Sequence, residues 1–101
     1  MQVTTSVEGV KATIRLSGRF DFNTHREFRV AYESVMDLAG VSQVVVDLGG
    51  VDYLDSSALG MLLMLRDRGE TTKRSVTLTG VKGSVKQVLD IANFSKIFRM
   101  E

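Results

Sequence analysis

Residues 44–65 read VVVDLGGVDYLDSSALGMLLML, and this stretch decides the fold. Its first part, 44–48, is a continuous run of mostly β-branched residues, which predicts a strand buried on both faces. Gly49 and Gly50 are expected to end this strand before a short loop. After the loop, an apolar segment over 58–68 predicts a helix that packs on the strand.

The segments on either side extend this unit into a mixed sheet. A further strand is predicted at 76–79, so that 44–79 forms a strand–helix–strand unit with a right-handed parallel connection. Towards the N-terminus, alternating apolar and polar residues predict two strands, 3–7 and 10–17, joined in an antiparallel hairpin. Val10 is expected to lie on the core face of the second strand.

Two more helices are predicted from apolar residues at helical spacing. The first covers 24–39, and Thr24 with Glu27 is predicted to form a capping box at its start. The last helix is predicted to begin with a second capping box, formed by Ser84 and Gln87.

The end of the chain completes the predicted fold. Asn93 is expected to end the last helix in a left-handed conformation, which asparagine tolerates better than most residues. Phe94, Ile97 and Phe98 are expected to fold back as a short strand or hook. The resulting order is β-β-α-β-α-β-α, an α/β fold in which helices pack on a mixed sheet of four or five strands.

Length and composition restrict the classes of protein to which the chain can belong. It has 101 residues, a formal net charge of +1, one histidine and no cysteine. This length predicts one domain, 1–101, and the absence of cysteine excludes disulfides and thiol chemistry. Balanced charge does not favour direct binding to nucleic acid. The longest apolar run, 61–65, is too short for membrane insertion, and no signal peptide is seen, so a cytoplasmic protein is expected.

The start of the predicted 58–68 helix carries the most informative polar residues. Asp55, Ser56 and Ser57 precede it, and Asp and Ser are among the residues that most often cap a helix N-terminus. In a second interpretation, a phosphoryl group on a serine would meet the positive end of the helix dipole and free N–H groups. It would add about −1.5 to −2 of charge beside Asp55. The residues alone leave both interpretations open.

The helix that follows has almost no polar face before Arg66. Met61, Met64 and Leu65 are predicted to fall partly on a side that does not face the sheet. Either neighbouring helices or the C-terminal segment cover these residues, or they form an exposed patch that docks a partner through adaptable methionine side chains. In the second case a modification of Ser56 would affect docking, because both lie on one element.

The sequence gives little indication of a catalytic site. The single histidine, His25, is predicted in the first turn of the first helix, and nothing brings it to Ser56 as a general base. Asp47, Asp52 and Asp55 are poor candidates for a magnesium cluster, because aspartates are common at loop and cap positions. No enzyme activity, metal ion or cofactor is therefore expected.

Several segments of the sequence resemble those of the STAS-domain proteins, in particular the bacterial anti-sigma factor antagonists, also called anti-anti-sigma factors. The resemblance extends over essentially the whole chain. Its parts are LSGRFD at 16–21, the strand at 44–48, YLDSSALG at 53–60, and the closing Phe94, Ile97 and Phe98. One position departs from the family pattern, which usually has glycine where this chain has Ala58, and this leaves the subgroup and the partner open.

The resemblance implies a STAS-like fold and a regulatory function. The unphosphorylated form of such a protein binds an anti-sigma factor, which frees a sigma factor to join RNA polymerase. A serine kinase, often the anti-sigma factor itself, phosphorylates the serine directly after the aspartate, here Ser56, and a PP2C-type phosphatase removes the phosphate. Asp55 and Ser57 surround this phosphorylation site. The implied partner-binding residues are Asp21, Ser56, Ser57, Met61 and Met64.

Two other functions are compatible with the sequence. One is a non-switching STAS subunit of a larger complex, such as a lipid-transport ATPase or a stress-sensing assembly. The other is a small enzyme or nucleotide-binding domain, although no Gly-Lys phosphate loop is present. A monomer or a weak homodimer is expected.

Overall fold

The chain forms an initial hairpin and then alternates helices with strands. The computed structural model describes residues 1–101, and it contains five strands and three α-helices. In chain order the elements are β1 (Gln2–Glu8), β2 (Lys11–Phe20), α1 (His25–Met36), β3 (Gln43–Leu54), α2 (Ser56–Thr71), β4 (Ser75–Thr79), α3 (Gly83–Ile91) and β5 (Arg99–Met100). The predicted α/β fold with a mixed sheet is confirmed. No helix has the length and apolar character needed to cross a membrane.

The five strands lie side by side in the order in which they occur in the chain. β1 is antiparallel to β2, and each later strand is parallel to the one before it. The three parallel connections therefore run in one direction across the sheet. Because such connections are nearly always right-handed, α1, α2 and α3 lie on the same face of the sheet.

Burial along the central strand follows this one-sided arrangement. Val44, Val46 and Leu48 of β3 are buried beneath the helices, whereas Val45 between them is only half-buried. The expectation that this strand is buried on both faces is therefore wrong. All three helices occupy one face, and the second face carries mainly polar side chains.

The core between the sheet and the helices includes a row of aromatic rings. The rings of Phe20 at the end of β2 and Phe28 of α1 lie 5.0 Å apart, and those of Phe28 and Tyr32 lie 5.4 Å apart. Burial raises the pKa of the Tyr32 hydroxyl above its ordinary value, and the neighbouring Glu33 carboxylate adds to this effect. These contacts fix α1 over the end of β2.

The Gly49-Gly50 pair lies inside β3 and does not end it. β3 has an extra residue here, because Arg15 pairs with Asp47 while Ser17 pairs with Gly50, which is a β-bulge. A Cβ at Gly50 would lie 2.8 Å from the Ser17 Cβ, so the backbones approach too closely for a side chain. The prediction of a strand end is therefore wrong, and β3 continues to Leu54.

The predicted capping box of Thr24 and Glu27 is also wrong. The Thr24 hydroxyl donates to the Asp21 carbonyl oxygen at 2.8 Å and accepts the Asp21 N–H at 3.0 Å. Thr24 therefore pairs with Asp21, and a short 3-10 helix, Phe22–Thr24, precedes α1. As a result α1 begins at His25, one residue later than predicted.

Val10 lies in the turn between β1 and β2, where it is 52% exposed. Gly9 beside it has a positive φ of 61°, which a tight hairpin turn requires. The core position predicted for Val10 is wrong, because the apolar alternation extends one step beyond the start of the strand at Lys11.

The C-terminal segment returns to the sheet as predicted. Asn93 has a left-handed backbone, with φ of 60°, at the end of α3. The buried rings of Phe94 and Phe98 lie 5.2 Å apart, and β5 then pairs with β4. The second predicted capping box is wrong, because α3 begins at Gly83 without a side-chain cap, ahead of Ser84.

Candidate functional site

The candidate site lies where β3 ends and α2 begins. Asp55 separates the two elements in an extended conformation, and its Oδ1 accepts the Ala58 N–H at 3.0 Å. The Asp55 N–H donates to the Phe20 carbonyl oxygen at 3.3 Å, which extends the contact between β2 and β3. The capping interpretation of Asp55 is confirmed, and the start of α2 is thereby fixed to the sheet.

Ser56 is the first residue of α2, and its side chain is exposed, whereas that of Ser57 is half-buried. The first N–H groups of a helix have no partner within the helix, and the Asp55 carboxylate takes that of Ala58. The N–H groups of Ser56 and Ser57 lie at the positive end of the helix dipole, where an anion is stabilised. The geometry is therefore compatible with a phosphoryl group on Ser56 beside an intact cap.

A second junction between a strand and a helix lies beside the first. β2 and β3 pair up to their last residues, so Asp21 and Asp55 follow neighbouring strand ends. Asp21 also caps: its Oδ1 accepts the Asn23 N–H at 3.0 Å, and its Oδ2 lies 3.5 Å from the Arg19 Nε. Asp21 thus lies at the same end of the sheet as Ser56, but these contacts already occupy its half-buried carboxylate.

Arg19 and Tyr53 form a further feature of this end of the sheet. They are partners in the pairing of β2 with β3, and the Arg19 guanidinium carbon lies 4.0 Å from the centre of the Tyr53 ring. This is a cation–π contact at an exposed position. Neither residue was among the predicted site residues. Both occur in the segments that carry the family resemblance, but their contact depends on a strand register that shifts twice along β3, at Gly49-Gly50 and again between Val51 and Tyr53.

The two methionines of α2 differ in exposure. Met61 is 7% exposed and Met64 is 53% exposed. The buried residues of α2 are Ala58, Met61, Leu62, Leu65 and Gly69. The exposure considered for Met61 is therefore wrong, because the stripe that packs on the sheet includes it. Met64, three residues after Met61 and roughly 60° further around the helix, lies outside the buried stripe on the exposed side.

The residues opposite the buried stripe define what we call the outer face of α2: Ser56, Gly60, Leu63 and Met64. Their spacing of three and four residues places them on one side of the helix. Ser56, Gly60 and Met64 are exposed and Leu63 is half-buried. The C-terminal segment meets the helix beyond this face, where the Arg66 Nε donates to the Ile97 carbonyl oxygen at 2.9 Å. The outer face is thus open to a partner and includes the exposed serine.

The other polar candidates lie apart from this arrangement. His25 is exposed at the start of α1. The Asp47 carboxylate accepts the Gly49 N–H at 2.8 Å and so supports the bulge in β3. Asp52 and Asp55 do not join Asp47 in a group of side chains that could hold a metal ion.

Sequence comparison shows which proteins the chain is similar to. The profile of the family described as Mlab, STAS domain matches residues 3–100. A STAS-domain containing protein of Pseudomonas aeruginosa (strain UCBPP-PA14) is 43% identical over 95 residues, which cover 94% of this chain and 92% of that protein. Both matches include the junction between β3 and α2.

Solved structures share the fold. The anti-sigma factor antagonist SpoIIAA in its unphosphorylated form has a TM-score of 0.76 at 17% identity, covering 99% of this chain and 87% of that chain. Bacillus SpoIIAA in the phosphorylated form has a TM-score of 0.75 at 16% identity, with 99% and 91% covered. A sulfate transporter family protein from Wolinella succinogenes has a TM-score of 0.79 at 14% identity, with 94% and 79% covered. At these identities the likeness concerns the fold alone.

Proposed function

This chain belongs to the STAS-domain family, and we propose that it is an anti-sigma factor antagonist controlled by phosphorylation of Ser56. The unphosphorylated protein binds an anti-sigma factor in the cytoplasm and so frees a sigma factor. A serine kinase, which in this family is often the anti-sigma factor itself, phosphorylates Ser56 and ends the binding. A PP2C-type phosphatase then restores the active form. The protein is the substrate of these enzymes.

The exposure of Ser56 at the start of α2 carries this proposal. A kinase must reach the hydroxyl oxygen, and the side chain is open to solvent. The backbone on both sides is held, since Asp55 caps the helix and bonds to β2. Phosphate is therefore added to a fixed point of the surface, and the fold need not open to accept it.

The partner is proposed to contact the outer face of α2, together with Ser57 and Asp21 at the helix start. Leu63 and Met64 provide apolar area, and methionine adapts readily to different partners. Asp21 contributes by holding the neighbouring strand end in place. Met61 supports this surface from beneath, because it is buried against the sheet.

Phosphorylation changes the charge of this surface and leaves the apolar contacts in place. A phosphoryl group adds about −1.5 to −2 of charge beside the Asp55 carboxylate. The helix N–H groups stabilise the phosphate in the free protein. A partner that docks there must either remove water from the phosphate or bring its own negative charge close to it, and both weaken binding. A penalty of about 3–4 kcal/mol weakens binding several-hundred-fold.

The test begins with affinity purification of the tagged chain from its own cells. Mass spectrometry is expected to find phosphate on Ser56 and an anti-sigma factor among the copurifying chains. Calorimetric titration of that factor then compares Ser56→Asp with Ser56→Ala, and the aspartate variant is expected to bind several-hundred-fold more weakly. Ser84→Asp is the matched control, because Ser84 is also an exposed serine in the first turn of a helix. Equal binding by both Ser56 variants, with circular dichroism unchanged, contradicts the proposal.

A second candidate is a permanent subunit of a larger assembly. The shared fold of a sulfate transporter family protein favours it, because STAS-like domains also occur in that context. Ser56 would then act only as a contact at the start of α2. This alternative is supported if Ser56 carries no phosphate under any growth condition and the same transporter subunits always copurify in fixed ratio.

A further inference from the structure

The two edge strands of the sheet, β1 and β5, differ in how well they are protected against pairing with a strand of another molecule. β5 is two residues long, contains Arg99 and is followed by Glu101; short, charged edge strands are one way in which proteins protect a sheet edge. β1 is seven residues long and has no charged side chain before Glu8. It pairs with β2 without a bulge, and it contains no proline. β1 therefore lacks the usual features that prevent an edge strand from pairing with another strand.

The hairpin register determines which backbone groups of β1 point outward. Glu8 and Lys11 flank the two-residue turn, so this pair exchanges hydrogen bonds across the hairpin. In an antiparallel ladder the bonded and non-bonded pairs alternate. The N–H and C=O groups of Val3, Thr5 and Val7 therefore point away from β2, at the open edge.

Apolar area lies beside these free groups on the helix side of the sheet. Val7 is 50% exposed on β1, and Val30 is 64% exposed on α1. Between the two elements runs a groove of about 500 Å³, lined by Val3, Thr5, Val30 and Ala31 together with Arg26, Glu27 and Ser34. The edge thus offers free hydrogen-bonding groups next to a groove that combines apolar residues with one charge of each sign.

We propose that β1 binds β1 of a second copy of this chain, in antiparallel orientation with Thr5 opposite Thr5. In this register Val3 faces Val7 of the second copy, so the residues with free backbone groups face one another and every such group finds a partner. A shift by two residues in either direction leaves one residue of each strand without its partner. The edge is therefore complementary to itself in one register.

The side chains are compatible with this register on both faces of the sheet. On the helix side, Val7 of each copy lies beside the groove that Val3 and Val30 line on the other. On the other side, Gln2 faces Glu8 and Thr4 faces Ser6, so no like charges meet. Because a single strand pair is small beside the about 1,600 Å² of a standard stable interface, we expect dissociation in the micromolar range.

This interface is independent of the proposed phosphorylation switch. Ser56 follows β3, and β2 separates β3 from the β1 edge. Pairing through β1 therefore leaves the outer face of α2 accessible in both copies.

Sedimentation velocity of the full chain, from micromolar to millimolar concentration, measures the association. We expect a monomer–dimer equilibrium that Thr5→Pro and Val7→Lys each shift towards monomer by at least tenfold. Proline at position 5 removes an N–H that the hairpin does not use, so the fold tolerates it. Val10→Lys is the matched control, because Val10 is 52% exposed but lies in the turn, outside the paired segment. A wild-type protein that stays monomeric at millimolar concentration overturns the proposal.

Single-cysteine variants test the register, since the chain has no cysteine of its own. Opposite residues of a bonded antiparallel pair have Cα atoms about 5.5 Å apart, within disulfide range, so Thr5→Cys is expected to form a disulfide-linked dimer on mild oxidation. Thr4→Cys is also exposed, but its copies would lie diagonally, about 7–8 Å apart, and should cross-link at least tenfold more slowly. Equal cross-linking rates overturn the proposal even if Thr5→Pro does not fold.

Discussion

At the scale of single residues, two glycines of the β3–α2 unit have different structural roles. Gly50 lies against β2, where an added Cβ would come within 2.8 Å of the Ser17 Cβ and 3.0 Å of the Leu16 carbonyl oxygen. Gly60 lies on the outer face of α2, with no atom within 4 Å of an added Cβ. Of these two positions, Gly50 requires the absence of a side chain and Gly60 does not.

Alanine substitutions at these two positions are expected to have opposite effects. Gly50→Ala should lower the free energy of unfolding by about 1–3 kcal/mol, because the strands must move apart. Gly60→Ala should raise it by about 0.5–1 kcal/mol, because alanine is the better helix former. Urea denaturation of both variants measures this. A loss of stability in Gly60→Ala equal to that in Gly50→Ala would contradict the structure of β3 and α2.

Tyr32 predicts a pH dependence of stability. Its pKa in the folded protein is raised by burial, then by Glu33. The unfolded chain therefore loses this proton at a lower pH, near 10, and the free energy of unfolding decreases as the pH rises above about 10. The contribution is fully present below that pH. Urea midpoints at pH 8 and pH 10.5 should show a larger decrease for wild type than for Tyr32→Phe, and equal decreases would show that Tyr32 titrates normally.

At the scale of elements, local patterns predicted most of the fold. The alternation in β2 and the helical spacing in α1 and α3 each indicate burial of one face. The apolar run at the start of β3 indicates a strand, although not its burial on one face only, and the right-handed rule applies to its parallel connection to β4. The capping position of Asp55 was also predictable, since the bond from Ala58 to Asp55 is local. These features depend on residues close together in the chain.

The features that sequence did not predict have more than one physical cause. Gly49 and Gly50 resemble a turn, and only the approach of Ser17 on β2 shows that they form a bulge inside β3. Thr24 matched a capping box with Glu27, but its hydroxyl binds Asp21, which belongs to the preceding turn. The segment 58–65 of α2 contains no polar residue, so periodicity did not indicate which methionine is buried.

The two faces of α2 can be tested through these methionines. Met61→Ala should destabilise the protein by about 2–5 kcal/mol, because it leaves a cavity above the sheet. Met64→Ala should change stability by less than about 0.5 kcal/mol, as expected at the surface. Thermal denaturation distinguishes them, and in the titration described above Met64→Ala should weaken partner binding. Similar stability losses in both variants would contradict the orientation of α2.

At the scale of the whole molecule, the arrangement separates support from signalling. All three helices cover one face of the sheet, and β2 and β3 are each followed by an aspartate that caps the next helical turn. Ser56 therefore lies at a capped end of the sheet, outside the packed core, and we expect the proposed phosphorylation to alter surface charge while the core stays packed. On this account, regulation of the protein requires no change of fold.

The most direct measurement is a calorimetric titration of the anti-sigma factor with protein that carries phosphoserine at position 56, beside the same protein after phosphatase treatment. The account predicts a several-hundred-fold weaker affinity for the phosphorylated form, corresponding to about 3–4 kcal/mol. Circular dichroism should be the same for both forms. Equal affinity of the two forms for the factor would contradict it.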